Sequence, residues 1–226
     1  MPSATVEGIQ LFERLDTLWR QQVAEHGGLR KYRDLQQASK EEMLAYLAYN
    51  CDLELQAANR AGDSAKRFLE PDIKRFHERQ HAEEILHYRL TKRELERHRV
   101  DPSGYETHPA IREMNEAYQA YETPVERICF FNLGSEKTAL FGLTANAKVA
   151  LALREFETAQ VYCYHLLPDE MFHTDYGPLY ILSRYAGSEE TQARAEAALR
   201  NGLQMKARAL QAILPTWKEQ RAPGST

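Results

Sequence analysis

The chain has 226 residues, 43% of them apolar and 27% charged, with a formal net charge of −4. This length and balance suit one domain with a substantial core, and the charge leaves no footprint for non-specific nucleic-acid binding. No run of roughly 18 apolar residues occurs, so no membrane span is expected, and the N-terminus lacks the basic-then-apolar pattern of a secretory signal. Cys51, Cys129 and Cys163 show no zinc spacing; they read as small core residues in a reduced, cytoplasmic setting.

In chain order, Val6 to Ala24 carries Ile9, Phe12, Leu15, Trp19 and Val23 at helical spacing, and Gly27-Gly28 ends that helix. A polar connection follows to Gln37. Ser39 and Glu42 form a capping box for a helix running to about Arg60 and stopping at Gly62-Asp63. Pro71 suits the first turn of the next helix, which runs to about Arg99 and is broken at Asp101 to Gly104. A short helix is expected over Ala110 to Tyr121. Thr123-Pro124 opens another, apolar through Phe141, with the turn placed at Gly142 to Asn146. The following helix covers Ala150 to Arg184 and must be disturbed by Pro168 and Pro178. Glu189 to Leu214 is a last amphipathic helix with Ala195, Leu199, Leu203, Leu210 and Leu214 on one side, ended by Pro215, and Arg221 to Thr226 reads as a frayed tail. No stretch alternates as a strand. The expected fold is a single all-α domain: a four-helix core over 39–184, a helical extension over 1–38 and a C-terminal helix over 189–214.

The chemistry lies in Glu-x-x-His, whose two side chains share one helix face. Three copies occur: Glu78/His81, Glu84/His87 and Glu170/His173. Leu69, Ile73, Phe76, Gln80, Glu83/Glu84, His87 and Leu90 fall on one stripe, so Glu84/His87 points inward and Glu78/His81 to solvent. Ala159, Tyr162/Cys163, Leu166, Glu170, His173 and Gly177/Ile181 form a second stripe. Two further apolar stripes carry one glutamate each: Glu54, in line with Met43 and Leu47, and Glu136, in line with Ile128 and Leu133. Four buried carboxylates need neutralising. Lys and Arg are missing from these stripes, so two divalent cations with two imidazoles are the expected partners. The order is doubled: Glu54 precedes Glu84 by 30 residues, and Glu136 precedes Glu170 by 34. Glu155 and Glu157 compete with Glu136, on condition that the turn falls at Leu166-Leu167.

Two copies of Glu … Glu-x-x-His, with the string Asp169-Glu170-x-x-His173-x-x-x-Gly177, resemble the ferritin-like di-iron carboxylate superfamily over about Ser39 to Arg184. The resemblance implies a ferritin-like four-helix bundle. In it Glu54 and Glu136 would be the single ligands, Glu84/His87 and Glu170/His173 the paired ones, and Asp169 a residue holding a ligand histidine from outside. Relatives with a third histidine four residues before the last glutamate have no counterpart: that position is Leu166, with His165 beside it.

The resemblance further implies two iron ions, or a manganese–iron pair, with O2 as co-substrate, in an oxidase or oxygenase of a small organic molecule. Zinc would suit the same donors. The chain carries no flavin or iron–sulfur motif, so an external electron donor, a ferredoxin or a reductase, is expected. A monomer or homodimer is expected, and no nucleic-acid partner. Three other readings fit the same residues: ferroxidase or peroxide-handling chemistry in a ferritin-like protein, a di-iron tRNA hydroxylase, and a helical bundle without catalysis.

Overall fold

A computed structural model describes residues 2–25, 38–102 and 106–217, the last four by backbone alone. The expected stop at Gly27-Gly28, the connection to Gln37, part of the break at Asp101 to Gly104 and the tail from Arg221 lie outside the described residues. Among those described, the chain forms seven helices and no strand, an all-α bundle as its periodicity predicts. None of these helices is long and apolar enough to cross a membrane.

Helix α1 is Val6–Glu25, α2 Lys40–Arg67 and α3 Pro71–Arg97. The Ser39–Glu42 capping box is formed in both directions. The stop expected at Gly62-Asp63 is not there, because α2 continues to Arg67. A glycine inside a helix costs only about 1 kcal/mol, and here its bare face receives a ring: a Cβ on Gly62 would lie 3.1 Å from His81 Nδ1. His81 is accordingly half-buried rather than solvated, 2.8 Å from the Ala58 carbonyl, while Glu78 is exposed. Leu69, read as the head of the α3 stripe, precedes that helix and is exposed. Helix α3 ends with Arg99 at φ 61°. The Val100 N–H donates to the Leu95 carbonyl and the Arg99 N–H to that of Glu96, which closes the helix as a Schellman motif without a glycine.

Helix α4 is Pro109–Gln119. Helix α5, over 124–152, is opened by a capping box between Thr123 and Glu126; its middle, Cys129–Glu136, is π-helical. The turn expected at Gly142 to Asn146 lies instead at 153–155. Gly142 and Asn146 are inside the helix, the Asn146 amide donating to the Gly142 carbonyl. Arg154, at φ 60°, makes the reversal, with the Glu155 N–H bonded to the Ala150 carbonyl and the Arg154 N–H to that of Leu151. This is a second Schellman motif with arginine where glycine is usual. Neither arginine stop carries a compositional signal.

Helix α6, over 156–185, contains two π-helical segments, Val161–Leu166 and Phe172–Tyr176. Each immediately precedes one of the prolines. The Leu167 N–H donates to the Tyr162 carbonyl, five residues back, just before Pro168; the Gly177 N–H donates to that of Phe172 just before Pro178. A proline ring clashes with the carbonyl four residues back in a regular helix, and the widened turn removes that clash. The first segment also turns Cys163 outward, so it is exposed, while Cys51 and Cys129 are buried as expected.

Helix α7, Glu189–Trp217, continues past Pro215, which does not end it. It lies close against the π segment of α5, where Gly134 and Gly202 face each other and a Cβ on Gly134 would be 3.1 Å from the Gly202 Cα. Helix α1 is pinned to the bundle by Trp19, whose indole donates to Thr138 Oγ1 at 3.2 Å, and by Asp16, 2.7 Å from the buried Lys137 ammonium. Arg127 ties α2, α4 and α5 together by donating to Ser64 Oγ and to the Tyr121 and Gln119 carbonyls.

Candidate metal centre

The six side chains that sequence spacing selects converge in the middle of the bundle. Glu54 comes from α2, Glu84 and His87 from α3, Glu136 from α5, and Glu170 and His173 from α6; all are buried. They form two overlapping groups. Glu54, Glu84, His87 and Glu170 each offer a donor atom within 4.8 Å of the others, and so do Glu84, Glu136, Glu170 and His173. Glu84 and Glu170 belong to both. His87 Nδ1 is 3.4 Å from both Glu54 and Glu84 and 3.9 Å from Glu170. His173 Nδ1 is 3.4 Å from Glu84 and 3.7 Å from Glu170.

The outer ring nitrogens fix which atoms face inward. His87 Nε2 is 3.1 Å from Asp169, and His173 Nε2 is 2.9 Å from Glu83. A carboxylate only accepts, so each Nε2 carries the proton and each Nδ1 of a neutral ring presents its lone pair to the centre. The position of Asp169 is the one the family resemblance implies. Glu83 is its counterpart, and sequence spacing did not single it out. The signal was present: an acid directly precedes the paired glutamate in both copies, Glu83-Glu84 and Asp169-Glu170. Each acid reaches across to the histidine of the other copy. The single glutamates are matched as well, Asn50 donating to Glu54 at 2.8 Å and Asn132 to Glu136 at 2.7 Å, each amide four residues before its carboxylate. Gln80 adds a bond to Glu136 at 2.9 Å.

Burial and the charges packed together compete in setting the protonation of this cluster. Burial pushes Glu54 up to about 8 and Glu136 well above the carboxylate range, the latter helped by Glu170 and Glu84. Glu170 is raised by burial and by Glu84. Burial alone would raise Glu84, but the two imidazoles against it outweigh that effect and hold it well below its ordinary value. Both imidazoles are raised despite burial, His87 by Asp169, Glu54 and Glu84, and His173 by Glu170, Glu83 and Glu84. The polar atoms aimed at the middle lack partners: Glu84 Oε2, Glu170 Oε2, His87 Nδ1 and His173 Nδ1 make no hydrogen bond. Unpaired buried polar atoms of this kind are costly, and two divalent cations would satisfy all four. The residues present, carboxylates with imidazole nitrogens facing one centre in two overlapping groups, are therefore a donor set that could hold metal.

The rival residues fall elsewhere. Glu155 closes the actual turn and Glu157 lies in the first turn of α6, both at ion-pairing distance from Arg97, with Glu155 also on Lys40. His165 is exposed and Leu166 buried, so no third histidine enters the cluster. Of the tyrosines near the stripes, Tyr164, Tyr176 and Tyr180 are exposed; Tyr46, Tyr49 and Tyr162 are buried. One expectation is overturned. The interior does hold cations: Arg60 of α2 and Lys206 of α7 are buried and line a cavity of about 40 Å³ with Glu54, Glu84, Glu136 and Glu170. Lys206 lies on the apolar stripe of α7, between Leu203 and Leu210, where a charge is conspicuous in the sequence. Sequence order puts this helix after the four-helix core, so nothing local connects its charge with the carboxylates.

No protein-family model matches the chain, and no curated protein does. Its fold is similar to that of a crystal structure from Shewanella denitrificans described as a domain of unknown function with a heme oxygenase-like fold. The TM-score is 0.71 at 14% identity, covering 96% of this chain and 97% of the other. At that identity the likeness shows the fold alone. The bundle expected as ferritin-like from its ligand order is thus all-helical, with a heme oxygenase-like arrangement of its helices.

Proposed function

We propose that this protein is a di-metal carboxylate oxidase or oxygenase, with two iron ions as the working pair and O2 as co-substrate. The observation that supports this reading is the pair of overlapping donor groups sharing Glu84 and Glu170. Two ferrous ions held so close can together supply electrons to O2. The chain's own part is to position and protect. Asp169 and Glu83 keep the protons on the outer ring nitrogens and so hold both Nδ1 lone pairs inward. Asn50, Asn132 and Gln80 fix the rotamers of Glu54 and Glu136. The cavity beside the cluster, lined in part by Leu53, Met114, Phe131 and Leu143, limits the water that reaches the reaction. A small organic substrate and a separate electron donor complete the reading. The heme oxygenase-like likeness brings no haem to it, because both histidines are surrounded by buried carboxylates, a set suited to divalent ions.

Metal analysis of protein produced with iron is expected to give roughly two irons per chain, as a two-metal site requires. Glu84→Ala and Glu170→Ala should each lose both ions, and Glu54→Ala and Glu136→Ala one each. Iron-loaded protein should consume O2 in a single turnover. Protein without metal, or with iron content unchanged in Glu170→Ala, would refute the reading.

A further inference from the structure

The charge balance around the cavity points to what it binds. Two divalent ions would neutralise Glu54, Glu84, Glu136 and Glu170. The two remaining carboxylates near the imidazoles, Glu83 and Asp169, lie behind them on the outer ring nitrogens; Arg79 pairs with Glu83 at 2.8 Å. Neither they nor Asp52 lines the cavity. Arg60 and Lys206 do, and both are at least 95% buried. Among the described residues Lys206 has no hydrogen-bond or ion-pair partner, and burial, with the Arg60 charge adding to it, brings its ammonium down to about 8. Arg60 bonds to Asn115 through Nη1 and stacks on the Phe131 ring at 3.8 Å, but its Nε has no partner. With the four cluster carboxylates neutralised by metal, Arg60 would keep the charge of Asp52, which does not line the cavity, and Lys206 would lose the Glu54, Glu136 and Glu170 charges that favour its ammonium. Buried uncompensated charge is strongly unfavourable, and a chain without use for these cations would be more stable with apolar residues in their place.

We propose that Arg60 and Lys206 form an anion subsite for the carboxylate of a small organic substrate, holding it beside the metal pair. This rests on the di-metal reading above. The remaining lining is apolar, including Leu53, Met114, Phe131 and Leu143, so the site suits one anionic end attached to an apolar body. The cavity of about 40 Å³ takes only a few water-sized groups. A carboxylate can displace that water and accept from both cations, and acetate, with four heavy atoms and an apolar end, matches the small, partly apolar space better than the fully polar, five-heavy-atom phosphate. The guanidinium face packed on Phe131 leaves the Nε edge free to donate, and the Lys206 ammonium supplies the second charge-assisted bond.

The test is calorimetric titration of acetate into anaerobic, iron-loaded protein, with acetamide and phosphate as comparison ligands and iron content measured on the same samples. Saturable binding of acetate, and neither acetamide nor phosphate, is expected. Arg60→Met and Lys206→Met should each weaken acetate by at least about tenfold, the effect of losing one charge-assisted hydrogen bond, while keeping their iron and helical circular dichroism. Should one variant misfold, the other and the acetate–acetamide comparison decide. Acetate binding unchanged in the variants would place the anion on the metals alone and overturn the subsite; so would iron-loaded protein that ignores acetate, or that binds acetamide or phosphate as well as acetate. Protein that takes up no iron would overturn the di-metal reading itself, and with it the charge balance argued here.

Discussion

The two helix pairs bring matching donors to the centre by different routes. Helices α2 and α3 are uninterrupted, and their glutamates and histidine sit where regular helical stepping puts them. Helices α5 and α6 contain three π-helical segments, one ending at Glu136 and one containing His173. Both pairs nevertheless supply the same parts: an amide and a glutamate four residues apart, then an acid, a glutamate and a histidine. The donor order is carried by the sequence of each copy; helical regularity is not required to deliver it. In α6 the widened turns accommodate Pro168 and Pro178, and in α5 the π segment packs against α7 through Gly134 and Gly202. π turns concentrate at functional sites in many helices, and here they lie on one side of the cluster.

The sharpest way to test the equivalence is through the outer acids. Asp169→Ala and Glu83→Ala should each lower iron affinity by roughly 10–100-fold, the usual effect of removing a partner from a ligand histidine, as read by competition with a chelator. An effect from only one of them would break the symmetry. Glycine substitutions separate the halves next. In the irregular pair, a Cβ at Gly177 would overlap the Phe76 ring, which is itself buried against His77 and Phe172. Gly177→Ala should cost about 1–3 kcal/mol in denaturant unfolding, as overpacking does. In the regular pair, Gly62→Ala asks only a small shift of the His81 ring and gains helix propensity, so it should change stability by less than about 1 kcal/mol.

The smallest effect concerns a histidine outside the cluster. His77, ten residues before His87 on α3, is buried between Phe68 and Phe76, and neither of its ring nitrogens has a partner. Burial, with the Arg127 charge adding to it, lowers its pKa from 6.5 to about 3. Between those values the unfolded chain binds a proton and the folded chain does not, so stability falls as pH drops below 6.5. From pH 7 to pH 6 the loss should be about 0.7 kcal/mol, and His77→Leu should abolish that increment. His87 and His173, raised by their carboxylate partners, have shifts of the opposite sign. The contrast shows that burial alone does not decide a histidine's charge.

Much of the architecture was legible from local chemistry. The capping box at Ser39 and the helix start at Thr123 form as read, and helical phase selected the inward Glu-x-x-His pairs and the two single glutamates. These features depend on residues within a few positions of one another, and that proximity is what a sequence records. Asp169 and Glu83 show the limit. Their pairing with histidines across the bundle joins elements some 80 to 90 residues apart. The Asn50/Glu54 and Asn132/Glu136 pairs repeat within the doubled order, at a spacing of four that a sequence can carry.

Two matters were decided only by the tertiary structure. One is where helices end. Arg99 and Arg154 adopt a left-handed conformation that side chains generally disfavour, offset by the Schellman hydrogen bonds that close each helix, whereas Gly62, Gly142 and Pro215, all conventional stop signals, sit inside helices. The other is the cavity's charge. Arg60 lies six residues from Glu54 on the same helix, and Lys206 comes from a helix that looked peripheral. Only the close approach of α7 to α5, through Gly134 and Gly202, puts that ammonium beside the carboxylates. The sequence by itself determined which side chains can hold a metal pair, because helical periodicity fixes their faces. Which charges share the space around them was set by helix-to-helix distance, which no local pattern encodes.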